Sequence, residues 1–112
     1  MKIYFNKRAV QVEVKKVSFW GKFVGLMFKT RNTQNLLFEF GPSEPSTIHS
    51  FFVFFSFLAL WLDKNNNVLE SNIVKPFTPA LTPKKRPTKL IEIPLNSRNK
   101  KFFDLLDGKG NI

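Results

Sequence analysis

A long apolar run near the middle of the chain limits what this sequence can fold into. It covers residues 48–62, is rich in phenylalanine and is followed by Asp63. A membrane-spanning helix needs about 20 apolar residues, so the run is short for that role. The asparagine-rich segment 63–67 that follows is typical of a hairpin turn, and residues 68–70 resume a strand pattern. We interpret the run as one bent strand or two consecutive buried strands broken near Ser56, in preference to a membrane-associated segment.

Other segments also carry strand patterns. Residues 9–17 alternate valine with polar residues, which indicates a half-buried strand. Ile3 and Phe5 are expected in a preceding strand, with a turn around Asn6 and Lys7. Further strands are predicted at residues 36–40 and 89–94. In the last of these Glu92 alternates with apolar residues, as expected on the solvent-facing side of a sheet.

Two short helices and one long loop complete the predicted elements. Ser18 resembles a helix N-cap, and apolar residues at helical spacing follow it, so a helix is predicted near residues 18–28. A second short helix is predicted over residues 98–106, before a frayed tail at 107–112. Residues 73–87 contain four of the seven prolines and are expected to form an extended surface loop. The length of 112 residues predicts one domain covering residues 1–112.

The chain is strongly basic, with 18 Lys and Arg against 8 Asp and Glu and a formal net charge of +10. Such a charge suits polyanionic partners such as nucleic acid, and equally serves to keep an aromatic-rich chain soluble. The sequence has no cysteine, which excludes disulfides and thiolate sites and makes a cytoplasmic location the simplest expectation. No signal peptide is expected, because Lys7 and Arg8 interrupt the N-terminal apolar residues.

Several motifs occur in a characteristic order. Lys22 with residues 25–28 reads Lys-x-x-Gly-Leu-Met-Phe, and residues 37–40 read Leu-Phe-Glu-Phe. The apolar run begins Ile-His and ends Leu-Asp, and it is followed by Lys-Pro-Phe at 75–77 and Ile-Glu-Ile-Pro at 91–94. This ordered set, spread over about residues 9–95, resembles the small prokaryotic family called domain of unknown function 192.

The resemblance implies a compact, β-rich α+β domain: a partly closed barrel, or a strongly curved mixed or antiparallel sheet. It implies no established activity. The family's Arg and Asp within the apolar segment fall at Phe54 and Leu58, which would share one face of a continuous strand. Replacing both members of a buried ion pair with apolar groups can be neutral, so their joint loss fits a structural pair. Had the pair formed a binding site, this chain has lost that function.

The sequence offers little for catalysis. His49 is the only histidine, and we expect a hydrogen-bonded structural role at the start of a strand rather than a catalytic one. A hydrolase or other enzyme centred on His49 remains the less favoured alternative. One histidine without cysteine argues against a transition-metal site, and no phosphate-binding glycine loop is present, so no cofactor or metal is expected.

Two binding surfaces are predicted instead. The first hypothesis is a non-enzymatic binding or scaffold module for an unknown ligand or protein, with a cleft between the predicted 18–28 helix and the proline-rich loop. Its candidate ligand-binding residues are Trp20, Lys22, His49, Lys75 and Phe77. The second hypothesis is an accessory nucleic-acid-binding protein that acts through charge. Its candidate polyanion-binding residues are Lys84, Lys85, Arg86 and Lys89.

Overall fold

The computed structural model describes residues 1–17, 26–27, 29–41, 44 and 46–106. Within them the chain forms an α+β structure that is mostly sheet, with one short α-helix near the C-terminus. The predicted helix at 18–28 and the predicted frayed tail at 107–112 lie outside the described residues, apart from Leu26 and Met27. The strands are β1 (Lys2–Phe5), β2 (Arg8–Gln11), β3 (Lys15–Lys16), β4 (Leu36–Glu39), β5 (Phe57–Leu62), β6 (Val68–Val74) and β7 (Lys89–Pro94).

The first two strands form an antiparallel hairpin with a two-residue turn at Asn6 and Lys7. Asn6 and Lys7 have φ angles of 49° and 66°, and two consecutive positive φ values define the tight turn that suits the twist of a hairpin. The predicted turn and the preceding strand are confirmed. The strand predicted over 9–17 is divided, because β2 ends at Gln11 and β3 pairs separately with β4 in a parallel arrangement.

A five-stranded mixed sheet has the order β3-β4-β7-β5-β6, and all its pairs except β3–β4 are antiparallel. Among the described strands β3 and β6 lie at opposite edges and do not pair, so the sheet is open and no closed barrel forms. The expectation of a mixed sheet is therefore confirmed, whereas that of barrel closure is not.

Both faces of this sheet are buried. The hairpin and the C-terminal helix cover one face, and residues from the loops at 26 and 53–55 cover the other. Central β5 is buried along its whole length, which explains why residues 57–62 are continuously apolar rather than alternating. The first core contains Ile3, Val12, Leu37, Leu58, Leu60, Leu62, Ile91, Ile93, Phe102 and Phe103. The second contains Leu26, Leu36, Phe38, Val53, Phe55, Phe57, Ala59, Trp61, Val74 and Leu90.

Only the second half of the apolar run is a strand. Residues 49–56 form a loop, and before it Ile48 makes one isolated bridge to Leu81. The prediction of strand structure on both sides of Ser56 is therefore wrong for the first half. The physical reason is that Val53 and Phe55 are buried as loop residues, so apolar character there does not require a ladder.

This loop also separates the two positions at which the family resemblance places an ion pair. Phe54 precedes β5 and is 58% exposed, whereas Leu58 lies within β5 and is fully buried. The sequence suggested that the two residues share one face of a continuous strand, and the structure shows that they do not. An apolar residue at Leu58 fits its position in the core, while Phe54 leaves most of its ring in solvent.

The last strand and helix begin and end close to where they were predicted. β7 covers Lys89–Pro94, a 3₁₀ turn covers Ser97–Asn99, and helix α1 covers Lys100–Leu106. The expectation for Glu92 is wrong, because β7 pairs with both β4 and β5 and both of its faces are covered. Glu92 is only 6% exposed, not on a solvent-facing side.

The chain between β6 and β7 follows the predicted extended path. It begins at Lys75, two residues later than expected, because β6 continues to Val74. No helix within the described residues is long and apolar enough to cross a membrane.

Candidate functional site

A buried serine, Ser50, makes several of the hydrogen bonds that hold two loops together at one end of the sheet. The hydroxyl of Ser50 donates to the carbonyl of Lys75 at 2.6 Å and accepts from the amide of Thr78 at 2.5 Å. The backbone amide of Ser50 donates to the Thr78 carbonyl, and its carbonyl accepts from the amide of Phe77, both at 2.9 Å. Ser50 therefore fixes the loop after Ile48 against the turn that follows β6.

Four phenylalanine rings project from these two loops into solvent. We call Phe51, Phe52, Phe54 and Phe77 the aromatic loop surface; they are 42%, 49%, 58% and 50% exposed. The rings of Phe54 and Phe77 meet edge to face with their centroids 5.6 Å apart. Clustered exposed aromatic side chains on a protein surface are typical of interaction sites, whereas scattered ones need no explanation.

The backbone at two of these residues adopts a conformation that bulky side chains rarely take. Phe52 and Phe77 both have φ angles of 61°. A left-handed conformation costs a non-glycine residue about 1–3 kcal/mol, and such residues cluster at functional sites. The hydrogen bonds of Ser50 hold the turn that contains Phe77 in this conformation.

His49 lies beside this surface and has an exposed side chain. Its Nδ1 accepts a hydrogen bond from the amide of Phe51 at 3.2 Å, and the two rings lie 5.3 Å apart. The nearby Ser50 hydroxyl is engaged with backbone groups of the second loop, which leaves it poorly placed to serve as a nucleophile activated by His49. His49 is hydrogen-bonded as predicted, but it lies in a loop and not at the start of a strand.

The structure brings three of the five predicted ligand-binding residues to one place. Ser50 joins the loop of His49 to the turn that carries Lys75 and Phe77, and all three of these side chains are exposed. Trp20 and Lys22 lie outside the described residues. The predicted cleft between the 18–28 segment and the proline-rich loop therefore falls largely outside the described residues.

The predicted polyanion-binding residues differ in their surroundings. Lys84 and Lys85 are exposed, and the backbone amide of Lys84 donates to the carboxylate of Glu70 at 3.0 Å. The guanidinium of Arg86 donates to the carbonyls of Gly41 and Glu44, at 3.3 and 2.6 Å, so this side chain ties two loops together.

Lys89 also has a structural partner. Its ammonium group donates to the side-chain oxygen of Asn66 at 2.5 Å, beside the turn between β5 and β6. This turn lies at the end of the sheet opposite Lys75, because Lys89 begins β7 whereas Lys75 follows β6, whose end pairs with the start of β5. Lys89 and Lys75, which belong to different predicted surfaces, therefore lie at opposite ends of the sheet.

Glu92 is a buried acid that sequence reasoning placed in solvent. It lies opposite Leu36 on β4 and Ala59 on β5. Burial raises the pKa of its carboxyl group to about 8, because removal from water disfavours the charged form. The only signal in the sequence was one acid within an apolar strand, and that pattern does not distinguish a solvated edge from a central strand.

The described residues contain no group of three or more His, Asp or Glu side chains placed to hold a metal ion. Their salt bridges include two surface pairs: Lys16 with Glu39 at 2.7 Å, and Lys100 with Asp104 at 3.1 Å. Such pairs contribute little to stability and mark no site.

Comparison with known proteins identifies the fold. No protein-family model and no curated protein matches the chain. Its structure is similar to that of a "putative transcription regulator" from Sinorhizobium meliloti 1021, with a TM-score of 0.73 and 14% identity over 90% of this chain and 82% of that one. It is also similar to a protein of unknown function from Novosphingobium aromaticivorans DSM 12444, with a TM-score of 0.67 and 13% identity over 89% and 74% of the two chains. At these identities the likeness shows a shared compact α+β fold alone.

Proposed function

We propose that this chain is a small non-enzymatic binding module and that the aromatic loop surface is its contact face. The observation that carries the proposal is the clustering of four half-exposed phenylalanines on two loops that a buried serine clamps together. Loops positioned by a rigid sheet are the usual place for binding residues. The strained backbone of Phe52 and Phe77 supports the same conclusion, since a turn without such a role is more stable with glycine there.

The occupant that fits this surface best is an acidic protein segment with apolar side chains. Apolar residues of the partner would pack on the phenylalanines, and its carboxylates would meet Lys75 and the positive field of a chain with net charge +10. Aromatic groups at the centre of a contact and charges at its rim are the common arrangement of protein interfaces.

Selection from a displayed library of random peptides tests this proposal. We expect the parent protein to enrich peptides that combine aromatic or aliphatic residues with Asp and Glu. A Phe54→Ser/Phe77→Ser variant should lose that enrichment, because it removes the edge-to-face pair and the two most exposed rings of the surface. A Tyr4→Ser variant is the matched control, since Tyr4 is an exposed aromatic residue on the separate hairpin.

Two results would contradict the proposal. One is the absence of enrichment on a folded parent protein. The other is equal enrichment on the parent and on the Phe54→Ser/Phe77→Ser variant, which would locate the contact elsewhere. Far-UV circular dichroism and the urea midpoint of each variant establish that the comparison is between folded proteins.

Nucleic-acid binding through the basic loop is the second candidate function. The exposed side chains of Lys84 and Lys85 and the net charge of +10 favour it. The description of a structural neighbour as a transcription regulator is compatible with it. This candidate predicts that affinity for mixed-sequence RNA and duplex DNA falls steeply as salt rises.

A Lys84→Ala/Lys85→Ala variant should then bind every sequence more weakly, with a smaller salt slope. Arg86 is left unchanged in this test because its guanidinium holds the Gly41 and Glu44 carbonyls, and its removal would confound binding with stability. Unchanged affinity in the double variant would exclude this loop as the contact.

We further propose that the chain is a divergent member of the domain of unknown function 192 family and that it acts in the cytoplasm. The ordered motifs support the first proposal, and the absence of cysteine supports the second.

Homologues intermediate in sequence between this chain and the family should carry Arg at position 54 and Asp at position 58. Intermediate sequences that lack the ordered motifs would contradict membership of the family. Cell fractionation tests the location.

A further inference from the structure

A groove of about 710 Å³ lies between the start of the sheet and the C-terminal helix, and its lining shares no residue with the aromatic loop surface. Met1, Val14 and Phe102 supply its apolar wall, and all three belong to or pack against the first core. Its volume is within the range of about 300–1,000 Å³ that small-molecule sites occupy. The groove is therefore large enough for an organic ligand of ordinary size.

Its rim is predominantly positive. Lys15, Arg98 and Lys101 line the groove, against one carboxylate, that of Glu13. The guanidinium of Arg98 is oriented by a 2.8 Å hydrogen bond from one Nη to the carbonyl of Thr33, which leaves its other N–H groups for a ligand. An arginine held in this way is suited to a carboxylate or a phosphate.

Two amides form a rigid polar wall. Asn35 and Asn99 are 6% and 1% exposed and are joined by a 2.9 Å hydrogen bond from the Asn99 amide to the Asn35 oxygen. The Asn35 amide nitrogen donates to the carbonyl of Glu13 at 2.9 Å and has a second hydrogen, which this bond does not use. Because these bonds fix both side chains before any ligand arrives, little ordering is required on binding.

An aromatic ring and a cation also meet at the wall. The ammonium group of Lys101 lies 5.1 Å from the centroid of the Phe102 ring. The groove thus places apolar surface directly beside positive charge. A ligand that is only apolar or only anionic would contact only one of these two parts of the groove.

We propose that this groove binds a small organic anion that carries a carboxylate or phosphate group on an aromatic or aliphatic body. The anionic group would lie against Arg98 and Lys101, and the body against Val14 and Phe102. This site is separate from the aromatic loop surface, and the inference does not depend on the proposed binding of a protein segment there.

Phenyl phosphate is a suitable probe, because it combines an aromatic ring with a compact anion. Titration into ¹⁵N-labelled protein should shift the backbone signals of Val14 and Phe102 and the side-chain amide signals of Asn35 and Asn99. Inorganic phosphate and benzyl alcohol, each carrying half of the chemistry, should bind more weakly than phenyl phosphate at the same site.

Charge-matched variants decide whether the site is specific. Arg98→Gln/Lys101→Gln should weaken phenyl phosphate binding about tenfold, as expected for two partly screened ion pairs. Lys84→Gln/Lys85→Gln removes the same charge from the distant loop and should change the affinity by less than about twofold. Phe54→Ser/Phe77→Ser should also leave it unchanged, which separates this test from that of the aromatic loop surface.

If Arg98→Gln/Lys101→Gln and Lys84→Gln/Lys85→Gln weaken binding equally, the affinity for phenyl phosphate depends only on the net charge of the protein. That result would overturn the proposal. Signal changes centred on Phe54 and Phe77 would overturn it as well, as would an absence of shifts in a folded protein. Retention of the parent spectrum away from the groove shows that the Arg98→Gln/Lys101→Gln variant is folded.

Discussion

The side-chain amide of Asn99 donates a 2.9 Å hydrogen bond to the side-chain oxygen of Asn35, across 64 positions of sequence. The same nitrogen donates to the carbonyl of Pro94 at 3.0 Å, and Asn35 in turn donates to the carbonyl of Glu13 at 2.9 Å. Two buried asparagines thereby connect the end of β7, the start of β4, the segment before β3 and the 3₁₀ turn. Both asparagines also line the groove beside the C-terminal helix, where they form its polar wall.

Replacing Asn99 by alanine should destabilise the protein by about 2–3 kcal/mol, because the Asn35 oxygen and the Pro94 carbonyl would lose their buried donor. Urea unfolding measures the change. Asn65→Ala is the control, since Asn65 is exposed in a turn and its loss should cost less than about 0.5 kcal/mol. Similar costs for the two variants would contradict a structural role for the Asn99 amide.

Glu92→Gln should remove a pH dependence of stability. The folded pKa of about 8 lies above the ordinary glutamate pKa of 4.5, so the folded protein keeps a proton that the unfolded chain releases. The parent should therefore lose stability as pH rises from about 4.5 to 8, whereas glutamine has no proton to lose. One pKa unit corresponds to about 1.4 kcal/mol, so the expected loss is several kcal/mol.

Unfolding free energies of the parent and of Glu92→Gln, measured in urea at intervals between pH 4 and pH 9, check this. The difference between the two proteins should shift in favour of the variant through that range and level off above pH 8. All other titrating groups are common to both proteins and cancel in the difference. Parallel pH profiles would show that Glu92 is ionised in the folded state.

Ser50→Ala should loosen the two loops that carry the aromatic loop surface. The Thr78 amide would lose its side-chain acceptor, whereas the Lys75 carbonyl would keep the hydroxyl of Thr78 as a donor, so we expect a cost of about 1 kcal/mol at this partly buried position. Hydrogen exchange of the Thr78 amide should accelerate more than that of amides in β5. Ser56→Ala is the matched control, because the Ser56 hydroxyl makes no hydrogen bond to the described part of the chain; slow exchange at Thr78 in Ser50→Ala would refute the clamp.

Lys7→Gly should stabilise the hairpin by about 1 kcal/mol. Lys7 is exposed with a φ angle of 66°, a conformation that glycine adopts without steric cost. The substitution also produces Asn-Gly, the preferred pair for this turn. Lys64→Gly is the control, because it removes the same charge from an exposed turn position whose φ angle is not positive. It should give no increase in stability. An equal rise in thermal midpoint for both would attribute the effect to charge.

Local signals in the sequence determined several elements of this fold. The turn at Asn6 and Lys7 could be predicted because asparagine is one of the few residue types that tolerate positive φ, and Asn6 has a φ angle of 49°. The turn after β5 was readable because Asp63 is suited to accept from nearby amides, and it accepts from those of Asn65 and Asn67 at 2.8 and 2.9 Å. β7 and helix α1 followed from periodicity. In each case the relevant forces act within a few residues along the chain.

Tertiary structure alone decided where the apolar and charged residues came to lie. Glu92 is buried because β7 lies between β4 and β5, and Phe54 is exposed because the chain turns before β5 begins. The order of strands also separates Lys89 from Lys75 and brings Asn99 to Asn35. Burial and proximity depend on pairings between residues tens of positions apart, and a local pattern of apolar and polar residues is compatible with many such pairings.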